Sequence, residues 1–457
     1  MKRTMAVILA AAVLAAALFL IYWPDYARER PGVTQTGAAR SVFPESQVDA
    51  EVFARATKPG AIEFPKDRGP HEDFQTEWWY YTGNLSTKEG HRFGYQLTFF
   101  RRALTPPGHH DALAGDTNPS AWRTNQIYLA HFAVSDIDNG RFYHAESFAR
   151  GAMGLAGAAA DPYEVWLEDW HAKSVGPGVV QLYARTERAA IDLRLEQTLP
   201  PVLHGDAGLS AKGPAPGNAS YYYSIVRQET GGTLFLDGRE YEVSGLSWKD
   251  HEYSTSVLPE DATGWDWFSL QFDDGTALMF FRMRLADGTL EDASAGTFIH
   301  ADGTTTSLEK NDWETEITDT WKSPDSGAVY PVGWRIEIGP LDLEITGGAL
   351  MKAQEMRVST TYWEGAVAFE GTRKGRPVSA EGYLEMTGYA ETMAGRLYPA
   401  ASSRYRHQHR HRHRYRPALM PHDRYRKTDY CAPSPPARTN PLGVPPVLAG
   451  VPAMRAR

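Results

Sequence analysis

TEWWYYTGNLSTKEGHRFGYQLTFF, residues 76–100, reads as strand, turn, strand. Two tyrosines open the run 80–85, bulky apolar residues alternate with small or polar ones over 93–99, and the polar segment 86–90 between them ends in Gly90. Runs of the same kind recur at 126–135, 141–148, 163–170, 179–186 and 190–197. No stretch sustains a helical period over more than about two turns. With 41 Gly and 30 Pro available for turns, short strands repeated over this length indicate β-barrels or sandwiches.

The opening motif has an internal counterpart. TEWWYYTGNL (76–85) aligns with TGWDWFSLQF (263–272), and each leads through a turn to a strand containing Phe-Phe-Arg, at 99–101 and 280–282. A second, ungapped pair matches GREYEVSGLSWKDHEY (238–253) with GRPVSAEGYLEMTGYA (375–390). One pair opens two units and the other closes them, so duplication is the economical reading. We expect a first domain over 61–256 and a second over 257–395.

The ends differ from the body. Lys2 and Arg3 precede an apolar run from Met5 to Trp23, the pattern of a signal peptide or membrane anchor over 1–24, and 25–60 reads as a linker. Either form exports the downstream chain to the periplasm or the outer face of the membrane. From Arg396 onward, 13 Lys/Arg face 2 Asp/Glu, and RYRHQHRHRHRYR (404–416) runs into Pro-rich sequence, the composition of a disordered low-complexity tail over 396–457. With that basic tail set aside, the net charge of −9 becomes −20 for residues 1–395, which argues against nucleic acid as a partner. Cys431 is the only cysteine, so no intramolecular disulfide or cysteine-based zinc site can form.

Chemistry concentrates at the junction of the two units, in SGLSWKDHEYSTSVLPEDATGWDW (244–267). Asp250, His251 and Glu252 are candidate catalytic residues, with Trp248 and Tyr253 beside them. On a strand His251 faces one side and the two carboxylates the other. A carboxyl in an aromatic pocket has a raised pKa and can donate a proton. A polar seam between domains is the rival reading. In the ungapped repeat the triplet corresponds to Thr387, Gly388 and Tyr389, so the fold itself does not require it. Asp266 is a further catalytic candidate, and Trp265 and Trp267 have faces suited to a cation or a lipophilic ligand. His71, with Glu72 and Asp73, precedes Trp78, Trp79 and Tyr80 in the same mixture of imidazole, carboxylate and aromatic rings. The Gly- and Pro-rich loop at 199–220 suits a cap over a barrel mouth, with His204 or Lys212 able to meet an anionic head group. His109-His110-Asp111 is weak evidence for a metal, and no nucleophile elbow, zincin helix, phosphate loop or dinucleotide fingerprint is present. We expect no cofactor.

Five motifs in order resemble one family: PHEDFQTEWWYYTGNL (70–85), LHGDAGLSAKG (203–213) with ASYYYS (219–224), GLSWKDHEYS (245–254), GWDWFSLQFDDG (264–275) and YWEGAV (362–367). Together they resemble the carotenoid 1,2-hydratase/AttH-like family of secreted lipocalin-like proteins, over about residues 60–395. The resemblance implies two lipocalin-like barrels in tandem, all-β, and the full TEWWYYTG motif looks more like the AttH-like branch. That branch implies an exported protein associated with an ABC-transporter permease. The other branch implies hydration of a terminal isoprenoid double bond, with Asp250 or Asp266 as the acid, His251 or Glu252 orienting water, and Trp248, Trp265 and Trp267 flanking the cation.

Two functions emerge as expectations. The first is a carrier holding a lipophilic molecule inside a small barrel, which requires a continuous aromatic cavity without convergent carboxylates. The second is a hydratase, which requires Asp250 or Asp266 in an apolar cleft with a raised pKa. Filled barrels with the triplet serving only as a bridge would leave an interaction module.

Overall fold

The structure, a computed structural model, describes residues 52–107, 122–255, 258–259 and 261–393. The expected signal or anchor, the linker up to residue 51, His109-His110-Asp111 and the basic tail lie outside the described residues. Among the described residues no helix is long and apolar enough to cross a membrane.

The chain is almost all β, folded as two curled antiparallel sheets. The first contains β1 (Thr76–Ser86), β2 (Arg92–Ala103), β3 (Gln126–Asp136), β4 (Arg141–Arg150), β5 (Ala156–Ala160), β6 (Tyr163–Leu167), β7 (Trp170–Gly176), β8 (Val179–Arg185), β9 (Ala189–Gln197), β10 (Val202–Leu203), β11 (Leu209–Ala211), β12 (Ala219–Leu236) and β13 (Arg239–Ser254). The second contains β14 (Ala262–Phe272), β15 (Ala277–Leu285), β16 (Ala295–Ile299), β17 (Thr305–Glu309), β18 (Trp313–Lys322), β19 (Val329–Ile338), β20 (Leu343–Ala349), β21 (Glu355–Arg357), β22 (Thr361–Arg373) and β23 (Arg376–Met386). The path β4-β3-β2-β1-β13-β12-β9 of the first sheet is repeated as β17-β16-β15-β14-β23-β22-β20 in the second. In each, the opening strand pairs with the closing strand, β1 with β13 and β14 with β23.

Each sheet wraps a filled core. Trp79, Tyr81, Tyr95, Leu97, Phe132 and Leu193 belong to the first core, and Phe268, Phe280, Trp334, Ile336, Trp363 and Phe369 to the second. The expectation of a ligand inside a barrel meets interiors lined by these large buried side chains.

Burial along the strands shows how the barrels meet. β9 alternates buried and exposed residues, as expected with solvent on one side, whereas β3 is buried at every position. β1, β2 and the end of β13 share this two-sided burial because their outer faces pack on the second barrel. Tyr80, Tyr222, Val226 and Trp248 of the first barrel cluster there with Trp267, Met279, Phe281 and Tyr383 of the second. The approach is close at Gly94, where an added Cβ would lie 2.8 Å from Ala366 Cβ and from the Tyr383 hydroxyl. Gln271 Nε2 donates to Val226 O (2.7 Å), and Asn84 Nδ2 donates to Gly382 O (3.0 Å), tying the two backbones together.

Candidate functional site

Strand alternation splits the charged triplet between two environments. Tyr80 lies opposite Asp250 and Trp78 opposite Glu252 on β1, and all four side chains point outward toward the second barrel. Lys249, His251 and Tyr253 point the other way, into the first barrel. The outward residues line a cleft of about 160 Å³ between the barrels. Thr98, Phe100, Tyr222 and Ser254 complete its first-barrel wall, Trp265, Trp267, Phe281, Met283 and Glu385 form the facing wall, and Lys212 and Leu258 also line it.

Asp250 is the most heavily bonded group in the cleft. Trp248 Nε1 donates to its Oδ1 and the Tyr222 hydroxyl to its Oδ2, each at 2.6 Å, and Ser224 Oγ makes a further short bond to Oδ1. Trp267 Nε1 in turn donates to the Tyr222 hydroxyl at 3.0 Å. Behind Ser224, His204 joins Ser224 Oγ (2.6 Å) to Thr297 Oγ1 of the second barrel (2.9 Å). Burial pushes the Asp250 carboxyl up to about 7, against the lowering pull of its three donors and with a push from Glu252. His204 is held neutral, its pKa lowered to about 3 by burial and by Lys212.

Glu252 is ion-paired to Lys212 Nζ at 3.1 Å, and the same ammonium sits 4.2 Å from the centre of the Phe281 ring. Across the cleft, Trp265 Nε1 donates to Glu385 Oε1 at 2.6 Å. Burial raises the Glu385 carboxyl to about 7; Trp265 pulls it down, and Asp250 and Glu252 push it up. Behind it Glu364 is fully buried and held well above the carboxylate range by burial and by Glu385, with the Tyr80 and Tyr362 hydroxyls pulling the other way.

The inward face of β13 belongs to a different network. His251 Nε2 meets Glu77 Oε1 at 2.8 Å and its Nδ1 meets the Tyr223 hydroxyl at 3.0 Å. His71 places Nδ1 2.7 Å from Glu77 Oε1 and Nε2 3.1 Å from Asp67 Oδ1. A ring between two carboxylates can donate to both only as imidazolium. Its pKa is raised accordingly: burial lowers it, but Glu77 and Asp67 outweigh burial. Burial alone would raise the Glu77 carboxyl, yet the charges of Arg101 and His71 and the hydrogen bonds from His251 and His71 hold it well below the usual range. Arg101 Nε donates to Glu77 Oε2 at 2.8 Å with both side chains fully buried. Tyr253 stacks on His71 at 3.5 Å, and Trp79 lies over His251 at 4.9 Å. Lys249 Nζ donates to the Tyr223 hydroxyl at 3.2 Å, and burial, reinforced by Arg68, lowers its pKa to about 7.

His71, Glu77 and His251 bring one ligand atom each within 4.8 Å of the others, the spacing of a metal centre. Every one of those atoms is already engaged in the hydrogen bonds above, and the Arg101 cation occupies the second Glu77 oxygen. The trio forms, with Asp67 and Arg101, a hydrogen-bonded ion network.

The candidates read from sequence therefore separate. Asp250, Glu252, Trp78, Tyr80, Trp265 and Trp267 line the cleft, and Trp248 holds Asp250 from behind. His71, Trp79, His251 and Tyr253 do not reach it. Asp266 does not either, because it alternates inward on β14, where Arg284 Nε (3.3 Å), Arg282 Nη1 (3.5 Å) and the Tyr389 hydroxyl (3.0 Å) surround it. Sequence reasoning missed Glu385. The ungapped repeat matched Asp250 with Thr387, but the ladders differ by two residues: Tyr80 pairs with Asp250, and its counterpart Trp267 pairs with Glu385. A two-residue slip keeps the face and changes the residue.

A family model described as AttH-like matches residues 55–389. No curated protein matches the chain. Among solved structures, an AttH candidate from Nitrosomonas europaea is 34% identical, covering 74% of this chain and 100% of its own, with a TM-score of 0.64. The kievitone hydratase from Nectria haematococca shares the fold at 15% identity, covering 74% of this chain and 98% of its own, with a TM-score of 0.55.

Proposed function

We propose that this chain, which belongs to the AttH-like family, is an enzyme that adds water to the double bond of a lipophilic, isoprenoid-like molecule held between its two barrels. One observation carries the reading: an apolar, aromatic cleft contains carboxyl groups drawn up to about 7, so that acid and base forms coexist at neutral pH. A simple carrier has no use for convergent carboxylates, whose burial costs binding free energy. Hydration of a substituted alkene needs a carboxylic acid to protonate carbon, indole faces to stabilise the cation, and a base for the incoming water. Trp78, Trp265 and Trp267 provide the faces. A protein of the same fold is named a hydratase, which makes addition of water the reaction to test first. The apolar run at 5–23 supports a cell-envelope location for the proposed activity, with an ABC-transporter permease as its proposed partner.

The test is incubation of the protein with acyclic isoprenoids in heavy-oxygen water, followed by mass spectrometry. We expect a tertiary alcohol carrying the label, formed much more slowly by Asp250→Asn. Tight binding of the same molecules with no labelled product would overturn the enzyme reading in favour of a carrier.

A further inference from the structure

We propose that Glu385, supplied by the second barrel, is the acid that protonates the alkene, while Asp250 is the anion that faces the resulting cation and takes the proton of the attacking water. The assignment rests on the hydration reading above and gives each carboxyl its role.

The argument starts from committed donors. An indole N–H cannot accept, so the Trp248 proton is fixed on Asp250 Oδ1 at 2.6 Å. The Tyr222 hydroxyl already accepts from Trp267 Nε1, so its own proton is committed to Asp250 Oδ2. Ser224 adds a third bond on Oδ1. Donors on both oxygens favour the carboxylate form. Glu385 has the single indole donor of Trp265, on Oε1.

Charge in the cleft points the same way. Glu385 shares the cleft with Asp250 and Glu252 from β13, and it acts on Glu364 of β22, which lies behind it. The hydroxyls of Tyr80 and Tyr222 line the same space, and the cation there, Lys212, is engaged by Glu252 at 3.1 Å. Like charges in one apolar site cannot all ionise. The proton settles on the cleft carboxyl with fewer donors, which is Glu385. Register supports a paired role: Glu385 stands opposite Trp267 as Asp250 stands opposite Tyr80, so the duplicated closing strands each present one carboxyl.

The reaction balances with these two groups and water. The alkene π electrons take the Glu385 proton at the less substituted carbon, leaving a tertiary cation and a Glu385 carboxylate. A water lone pair forms the C–O bond and its proton passes to Asp250. Asp250 then loses that proton and Glu385 regains one through solvent, so the net change is one alkene and one water to one alcohol.

The experiment compares pH–rate profiles and infrared spectra of the wild-type chain, Glu385→Gln and Asp250→Asn. An acid that must carry its proton makes the wild-type rate fall above about pH 7. We expect Glu385→Gln to lower kcat by about 10²- to 10⁴-fold and to abolish that fall. Asp250→Asn should be slow but keep it, and Glu385→Asp should restore part of the rate together with the fall. Loss of the fall in Asp250→Asn and its retention in Glu385→Gln would overturn the assignment. If the wild-type chain gives no alcohol, the hydration reading fails by itself, and the protonated-carboxyl stretch that persists to the highest pH still decides the location of the proton. A band component lost in Glu385→Gln and kept in Asp250→Asn supports the assignment; the reverse overturns it.

Discussion

Alternate residues of β13 meet two environments that look alike in sequence and differ in how their charges are matched. Inward, Lys249, His251 and Tyr253 join a network in which the anions Asp67 and Glu77 face the imidazolium of His71 and the guanidinium of Arg101. Outward, Asp250 and Glu252 share a cleft with Glu385, and Lys212 is the one amine among the lining residues. Matched charge holds a barrel end together. Surplus carboxylate in an apolar cleft is poised to exchange protons, and the two faces should respond oppositely to mutation.

The largest effect is expected on the inward face. Glu77→Gln leaves Arg101 fully buried without its counter-ion, which costs about 3–5 kcal/mol of stability. The Glu77 pKa is depressed in the folded state, so its contribution is present above the ordinary value of 4.5 and is lost as pH falls below it. Denaturant unfolding should therefore show a wild-type chain that weakens toward acid pH and a variant that is weak throughout and less dependent on acid. Equal stability of the two at pH 7 would contradict the account of this face.

On the outward face the ranking reverses, with activity hit harder than stability. Asp250→Asn should lower kcat by about 10²- to 10⁴-fold while changing stability by no more than about 1–2 kcal/mol. The sign of its pH dependence differs from that of Glu77. Asp250 is raised from 3.8 to about 7 on folding, so its relative contribution is complete below 3.8 and is lost as pH rises through 7. The variant should thus compare more favourably with the wild-type chain at pH 8 than at pH 5 in the same unfolding measurement.

A smaller effect tests the Glu385 environment. Trp265→Phe keeps an aromatic wall but removes the donor on Glu385 Oε1, and loss of a donor to the ionised form raises the pKa. The fall of the rate at high pH should move upward by about one unit, as loss of one charge-assisted hydrogen bond implies. A uniformly slower enzyme with an unmoved profile would assign Trp265 to packing alone.

The strands, the duplication and the opposed faces of Asp250 and His251 were legible in sequence because period two is written directly into the residue order. The features that were not legible depend on pairing between distant strands. Glu77 stands opposite Arg101 on β2 and belongs to one ion pair, but nothing in either segment alone announces it. Asp266, flanked by two tryptophans, looked equivalent to Asp250, yet it alternates inward onto Arg282 and Arg284. Glu385 was hidden because a gap-free match of the closing strands ran two residues out of step with the ladder. The filled interiors were beyond reach for a related reason, since barrel residues of either purpose are aromatic and aliphatic.

The smallest effect concerns Lys212, which the sequence offered as a receiver for an anionic head group. Its ammonium is spent on Glu252 at 3.1 Å and rests over Phe281, and the two charged side chains are only 18% and 8% exposed. A cation already matched in this way resembles those of the inward network more than an open anion site. Lys212→Met keeps the apolar stem against Phe281, so stability should change by no more than about 1 kcal/mol. The freed Glu252 charge should press on Asp250 and Glu385 and lift the upper limb of the pH profile slightly. KM should shift by about the same small factor for a carboxylated isoprenoid as for a neutral one, because the ammonium is not available to either. A selective loss of affinity for the carboxylated substrate would mean that Lys212 leaves Glu252 when ligand binds, and that the cleft is less completely matched at its mouth than its resting geometry implies.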